Sequence, residues 1–374
     1  MLMKKQFIIY VSLALLSLAA CVTDFTPEVK GVSGILVVDG TITDGESVFR
    51  LSRSVSILDT TRVGDWIAHA VMCVEREDGA TFPASYEGNG FYRIPTGDLD
   101  PASGYRLNFT IDGKNYQSSF LKPIETAPID SVSWQKAGLG QPVSIHVSSR
   151  AGADQSTYYR WTYFETWEVI TPLTATAGYL DGVFMMFDPA TSHNTRYCWG
   201  RDSSKALLLE NTASLAENVV VRKKLFEIPC KDEKLSYLYH VEVLQTQLRE
   251  EAYNYFRILR DEVERSGGIF GLVMSAGDNG NVYCISDPDE VIIGYVEVAT
   301  TTRKSLFIPY SWDIHESLPA DKAYRYCPLC SKKDYPDWPW FEYPHSVTYP
   351  QCVDCRAHYN ATKNRPAWWP NDHY

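Results

Sequence analysis

The chain lacks any apolar run long enough to cross a bilayer, which takes about 20 residues. The longest, Phe7 to Ala20, stops short of that. It also lacks an excess of positive charge: 35 lysines and arginines stand against 46 aspartates and glutamates, a net charge of −11. Such a surface repels polyanions, so nucleic acid is not an expected partner. Neither a serine-hydrolase elbow, a His-Glu-x-x-His helix, a phosphate-binding loop nor a dinucleotide fingerprint occurs in the sequence. Wholesale disorder is excluded as well, because 45% of the residues are hydrophobic. An acidic globular chain with no announced chemistry remains.

What is present begins at the amino terminus. Lys4 and Lys5 precede the Phe7–Ala20 run, a basic start and an apolar core in the pattern of a secretory signal. Leu18-Ala19-Ala20-Cys21 completes a lipobox: small residues admit the peptidase, and the Cys21 thiol accepts a diacylglycerol. The expectation is a signal peptide over 1–20, then a lipidated Cys21 and a spacer over 21–33 that carries Pro, Gly and charge without periodicity. A diacylglycerol plus an N-acyl chain would supply the two anchors that stable membrane attachment requires.

Nine cysteines, less Cys21, leave Cys73, Cys198, Cys230, Cys284, Cys327, Cys330, Cys352 and Cys355. An even number in an exported chain predicts disulfides, each contributing about 2–4 kcal/mol. Cys327, Cys330, Cys352 and Cys355 form two Cys-x-x-Cys pairs whose spacing also fits a four-cysteine zinc site, or a three-cysteine site completed by His345 or His358. An oxidising compartment favours disulfides and leaves zinc as the alternative. Cys198 and Cys230 are further candidates for pairing, with the connectivity open. Cys73 and Cys284 fall in strand-like runs and read as buried thiols. No cofactor is expected, and the acidic stretch 278–290 lacks the spacing of a calcium loop.

The body reads as mainly β. From residue 34, short alternating runs are separated by Asp-Gly pairs at 39–40, 44–45, 78–79 and 112–113. Each pair predicts a tight hairpin, because it tolerates positive φ. Strands at this spacing over 34–122 predict an N-terminal Greek-key sandwich of immunoglobulin or transthyretin type. The proline-bearing "KPIETAPIDSV" (122–132) marks the passage to a second β-rich domain over 123–318. Within it, "YYRWTYFETWEVI" (158–170) reads as sandwich core, with Trp161, Tyr163 and Glu165 assigned to the face opposite Tyr159 and Thr162. Leu244, Leu248, Ala252, Tyr255, Leu259 and Val263 recur every three or four positions and predict one long amphipathic helix over about 244–265. Mixed charge on its polar face argues for packing on a sheet and not on a membrane.

The remainder, 319–374, is a tail rich in cysteine and aromatics. Trp338, Trp340, Tyr343, Trp368 and Trp369 are its candidate contact residues, since Trp and Tyr anchor interfaces and the local prolines oppose incorporation in a sheet core. The alternative is that these rings pack down over the second domain.

Several stretches together carry a resemblance: the lipobox, "LVVDGTIT" (36–43), "RYCWG" (196–200), "EAYNYFRIL" (251–259) leading to "GGIFG", "NGNVY" (279–283), "IIGYVEV" (292–298) and "CVDCRAHYNATKNRPAWW" (352–369). They resemble the Bacteroidota lipoprotein family known as domain of unknown function 4249, over nearly the whole mature chain. Cys352, Asp354, Cys355, Arg356, Pro366 and Trp369 match its ending, whereas "HYNATKN" departs from the glycine-rich turn usual there. The resemblance implies anchoring in the bacterial outer membrane, face undecided, beside a TonB-dependent transporter as partner. The expected function is a non-enzymatic accessory that helps capture that transporter's cargo, whose identity stays open. The alternatives are an envelope hydrolase, glycosidase or peptidase, with dispersed catalytic residues, and an architectural envelope protein.

Overall fold

The computed structural model describes residues 34–54, 65–180, 183–188, 195–266, 280–317, 327–336, 340–342 and 346–370. The expected signal peptide, Cys21 and the spacer lie outside the described residues, as do Trp338 and Tyr343.

The described chain is mainly β. Its first strands are β1 (Leu36–Ile42), β2 (Gly45–Arg53), β3 (Asp65–Trp66), β4 (Val71–Arg76), β5 (Thr81–Pro83), β6 (Ser85–Gly88), β7 (Phe91–Gly97), β8 (Tyr105–Ile111) and β9 (Lys114–Ser118). They form two sheets, one ordered β1-β2-β7-β6 and the other β9-β8-β4-β5. Alternation decides which side chains meet: Tyr105, Leu107, Phe109 and Ile111 of β8 are buried, while Arg106, Asn108 and Thr110 between them are half exposed. The buried set faces Val38, Ile42, Phe49, Leu51 and Ile94 in one shared core.

Three of the four Asp-Gly pairs sit at turns. Asp112 and Gly113 take φ of 50° and 79°, the double positive φ of a tight hairpin. Asp39-Gly40 does not turn, which corrects the expectation. It lies inside β1, where a side chain on Gly40 would meet Phe49 Cδ1 at 2.3 Å, so close packing needs the glycine.

After the proline-bearing connection come β10 (Ile129–Lys136), β11 (Val143–Arg150), β12 (Tyr158–Ile170), β13 (Ala177–Leu180), β14 (Val183–Met186), β15 (Tyr197–Ser203), β16 (Leu208–Asn211), β17 (Val219–Ile228) and β18 (Leu238–Leu248). One sheet is β10-β11-β17. In the other, β12 pairs with β18 on one side and with β15 and β16 on the other. Between the sheets Val143, Ile145 and Val147 pack against Tyr159, Trp161, Trp167, Tyr239, Val241 and Val243. Tyr159 and Trp161 stack with centroids 5.6 Å apart and are both fully buried. Two residues apart on a strand, they share the inward face, and the expected assignment of Tyr159 to the other face is corrected.

β18 also corrects the helix boundary. Leu244 and Leu248 are strand residues paired with Thr162 and Tyr158, and α1 (Glu250–Ser266) starts only after them. The four-residue spacing of Leu244, Leu248 and Ala252 fits a helix, but inward Gln245 and Gln247 hold the strand. Gln245 accepts from Trp161 Nε1 at 2.9 Å and donates to Ala127 O and Ser149 Oγ. Gln247 accepts from the Ala127 amide at 2.8 Å. Buried amides with their partners in place outweigh a periodicity. The helix then buries Ala252, Tyr255 and Phe256 against Leu209, Leu248 and Tyr295.

Beyond α1 the chain returns to the first sandwich. β19 (Val282–Cys284) pairs with β9, while β20 (Ile292–Ile293) and β21 (Glu297–Val298) run parallel to β1. Val282, Cys284, Ile292, Val296 and Val298 enter its core. A stretch expected within the second domain therefore packs into the first. The buried carboxylate of Glu297 receives the guanidinium and the amide of Arg249 at the start of α1, and this joins the two units. β22 (Thr302–Pro309) pairs with β18 and extends the second unit's larger sheet to the order β22-β18-β12-β15, and α2 (Trp312–His315) follows.

The tail adds β23 (Cys330–Ser331), β24 (Trp340–Glu342), β25 (Ser346–Val347), α3 (Pro350–Val353) and β26 (Ala361–Thr362). β26 pairs with β15, and β23, β24 and β25 join the β13–β14 hairpin in a small sheet. Prolines thus do not keep Trp340 out of a sheet: it pairs with Ala177 and Val347. Among the described residues no helix is long and apolar enough to cross a membrane.

Candidate functional site

The inward faces of β12, β18 and β22 are spent on the core, and alternation leaves an equally ordered set outside. Arg160, Thr162, Phe164 and Thr166 of β12 stand beside Thr246, Leu244, Glu242 and His240 of β18. Leu244, Glu242 and His240 in turn stand beside Arg303, Ser305 and Phe307 of β22. These rows form the floor of a trough. The β1–β2 turn and Arg93 of β7 wall one part of it, Trp368 of the tail overhangs one end, and α1 closes the other.

Three hollows follow one another along this floor. That under α1 measures about 650 Å³, the middle one about 620 Å³, and that beneath Trp368 about 260 Å³. The first two share Arg160 and Thr162, and the last two share Phe164 and Glu242, so the depression is continuous. Its size is that of a ligand site, with mainly apolar walls under α1 and mainly polar ones in the middle.

Aromatics concentrate at the Trp368 end. His240 lies between Phe307 and Trp368, ring centroids 4.5 and 4.4 Å away. Burial pushes its pKa down to about 4, so the imidazole is neutral at pH 7. Phe164 and Trp368 are half exposed. In the middle hollow Arg93 is held by Glu46 at 2.6 Å and by Glu87. The side chains of Glu242 and Arg303, by contrast, have no hydrogen-bond or ion-pair partner among the described residues. An acid and a cation left unengaged on this floor are free to meet a polar ligand.

A second polar cluster sits at the rim between the two sheets of the second unit. Lys234 Nζ lies 2.8 Å from Glu165 and 3.8 Å from Asp202, and 4.9 Å over the Trp167 ring. Tyr239 donates to Glu165 at 2.8 Å, and burial together with that carboxylate raises its phenol well above the usual range. Each charge here has its counterpart, so the cluster satisfies itself.

Four of the six cysteines expected to pair form disulfides. Cys198 of β15 pairs with Cys355, and Cys327 pairs with Cys352. Cys330 and Cys230 carry free thiols, which corrects the pairing expected for them. Cys355 is drawn into the second unit's core beside Cys198, and this takes it away from Cys352, its near neighbour in sequence. No group of three or more potential metal ligands occurs among the described residues.

Of the candidate contact rings, Trp368 is on the trough and 53% exposed. Trp369 is a correction: 2% exposed, it packs on Trp199 and Leu238 and belongs to the protein's interior. The side chain of Trp340 lies outside the described residues. Sequence reasoning missed His240, Glu242, Phe164, Arg303 and Arg160. The strict alternation His240-Val241-Glu242-Val243 was the available signal for the first two.

A family model described as "Domain of unknown function (DUF4249)" matches residues 22–305. No curated protein matches the chain.

Proposed function

The chain belongs to the DUF4249 family, and from that membership we propose that it is a non-enzymatic binding lipoprotein, accessory to a TonB-dependent transporter of the bacterial outer membrane. The observation that carries the binding reading is the continuous trough over β12, β18 and β22, with Glu242 and Arg303 left unengaged on its floor. The lipobox ending in Cys21 supports a lipid anchor, and the family resemblance supports the transporter as partner. Confinement to the membrane would raise the effective concentration of each partner, so a weak contact suffices. Covalent lipid apart, the reading needs no cofactor and no metal.

The test is affinity isolation of the lipidated protein from solubilised outer membranes, with identification of what accompanies it. A barrel transporter in the eluate, absent when Cys21→Ala leaves the protein unanchored, is the expected result. Recovery of no barrel protein would remove the transporter from the proposal.

A further inference from the structure

Arg160 stands where the hollow under α1 meets the middle of the trough, and its guanidinium is unfinished. The side chain is 14% exposed. It lies 3.6 Å from Asp39, a loose contact beyond hydrogen-bonding reach, and 4.5 Å above the Phe256 ring. Among the described residues nothing accepts a hydrogen bond from it. A guanidinium carries five N–H donors, and hiding them from water without acceptors is costly. The stacking on Phe256 holds the group in place, with its fork ready for a planar acceptor.

The hollow beside it is of a different character. Val37, Val38, Leu207, Leu259 and Ile293 contribute to its walls, and Lys205 and Arg260 stand at its rim. Tyr255, another wall residue, is 5% exposed. An apolar chamber of about 650 Å³ with a ring-stacked guanidinium at its opening has a definite complement.

We infer that this hollow takes a monoanionic amphiphile: a carboxylate paired with Arg160, and a single apolar chain or ring lying beneath α1. A carboxylate matches the guanidinium fork with two parallel hydrogen bonds. Multiply charged heads are disfavoured, because Asp39 and Glu264 line the same hollow and the chain as a whole carries −11. The inference rests on the reading of the trough as a binding site and names the class of ligand held at its α1 end.

The experiment uses the full chain carrying Cys21→Ala, so that no acyl group competes, titrated calorimetrically with decanoate and with 1-decanol. Decanoate is expected to bind saturably at one site, about tenfold or more tighter than the alcohol, as a charged hydrogen-bonded pair implies. Arg160→Met should erase that preference. Ala206→Trp, an exposed rim substitution that leaves the core untouched, should weaken both ligands. Equal binding of acid and alcohol would overturn the inference, as would the absence of decanoate binding. So would a preference that survives in a folded Arg160→Met protein; if that variant does not fold, unchanged affinity in Ala206→Trp overturns it. Any of these, with a transporter still co-isolating, would sink the ligand class and leave the transporter proposal standing.

Discussion

His240 illustrates how much one residue's surroundings decide. It lies between Phe307 and Trp368, and burial lowers its pKa from 6.5 to about 4. Between those two values the unfolded chain binds a proton that the folded chain refuses, so acidification from about 6.5 towards 4 favours unfolding. Denaturant midpoints measured across this range should fall more steeply for the natural protein than for His240→Phe. Parallel curves would show that the imidazole is not held neutral. Nothing at the level of residue type marked this histidine, because its ring neighbours come from another strand and from the tail. Asp112-Gly113, in contrast, was legible, since its backbone preference is local.

Elements were legible where a period had one interpretation. β8 alternates cleanly and forms a strand as expected. The stretch around Leu244 and Leu248 fits two periods, and the choice fell to partners far away in sequence: Ala127, Ser149 and Trp161 around two glutamines. Disulfide partners were illegible for the same reason. Cys-x-x-Cys spacing speaks only of neighbours, whereas Cys355 is joined to β15 across 157 residues. A bridge over so long a loop restricts the unfolded chain strongly, so Cys355→Ser should cost about 2–5 kcal/mol. Thermal melting of the oxidised natural protein against the variant reads this directly; an unchanged midpoint would mean that Trp369 packing and the pairing of β26 with β15 hold the tail without the bridge.

At the scale of the whole molecule, the two sandwiches are not successive. The first keeps places in its sheets and core for Val282, Cys284, Ile292, Val296 and Val298, which arrive after nearly all of the second has been laid down. The family match, ending at residue 305, spans this return. A fragment of residues 34–122 is therefore expected to show poor amide dispersion by NMR and to bind hydrophobic dyes, and a well-dispersed spectrum would refute the dependence. Linear reading along the chain hid this, because two-residue strands such as Ile292–Ile293 have no periodicity to detect.

The parallel seams that β20 and β21 make with β1 carry one more implication. Whether it emerges from synthesis or from export, the chain delivers β1 and β9 first, so the edge of β1 and the row beside β9 stand open until β19, β20 and β21 follow. Through that interval the leading half is an open template for strand exchange with another newborn copy. A holdase that shelters nascent chains should thus matter more for the yield of this protein than its final stability would suggest.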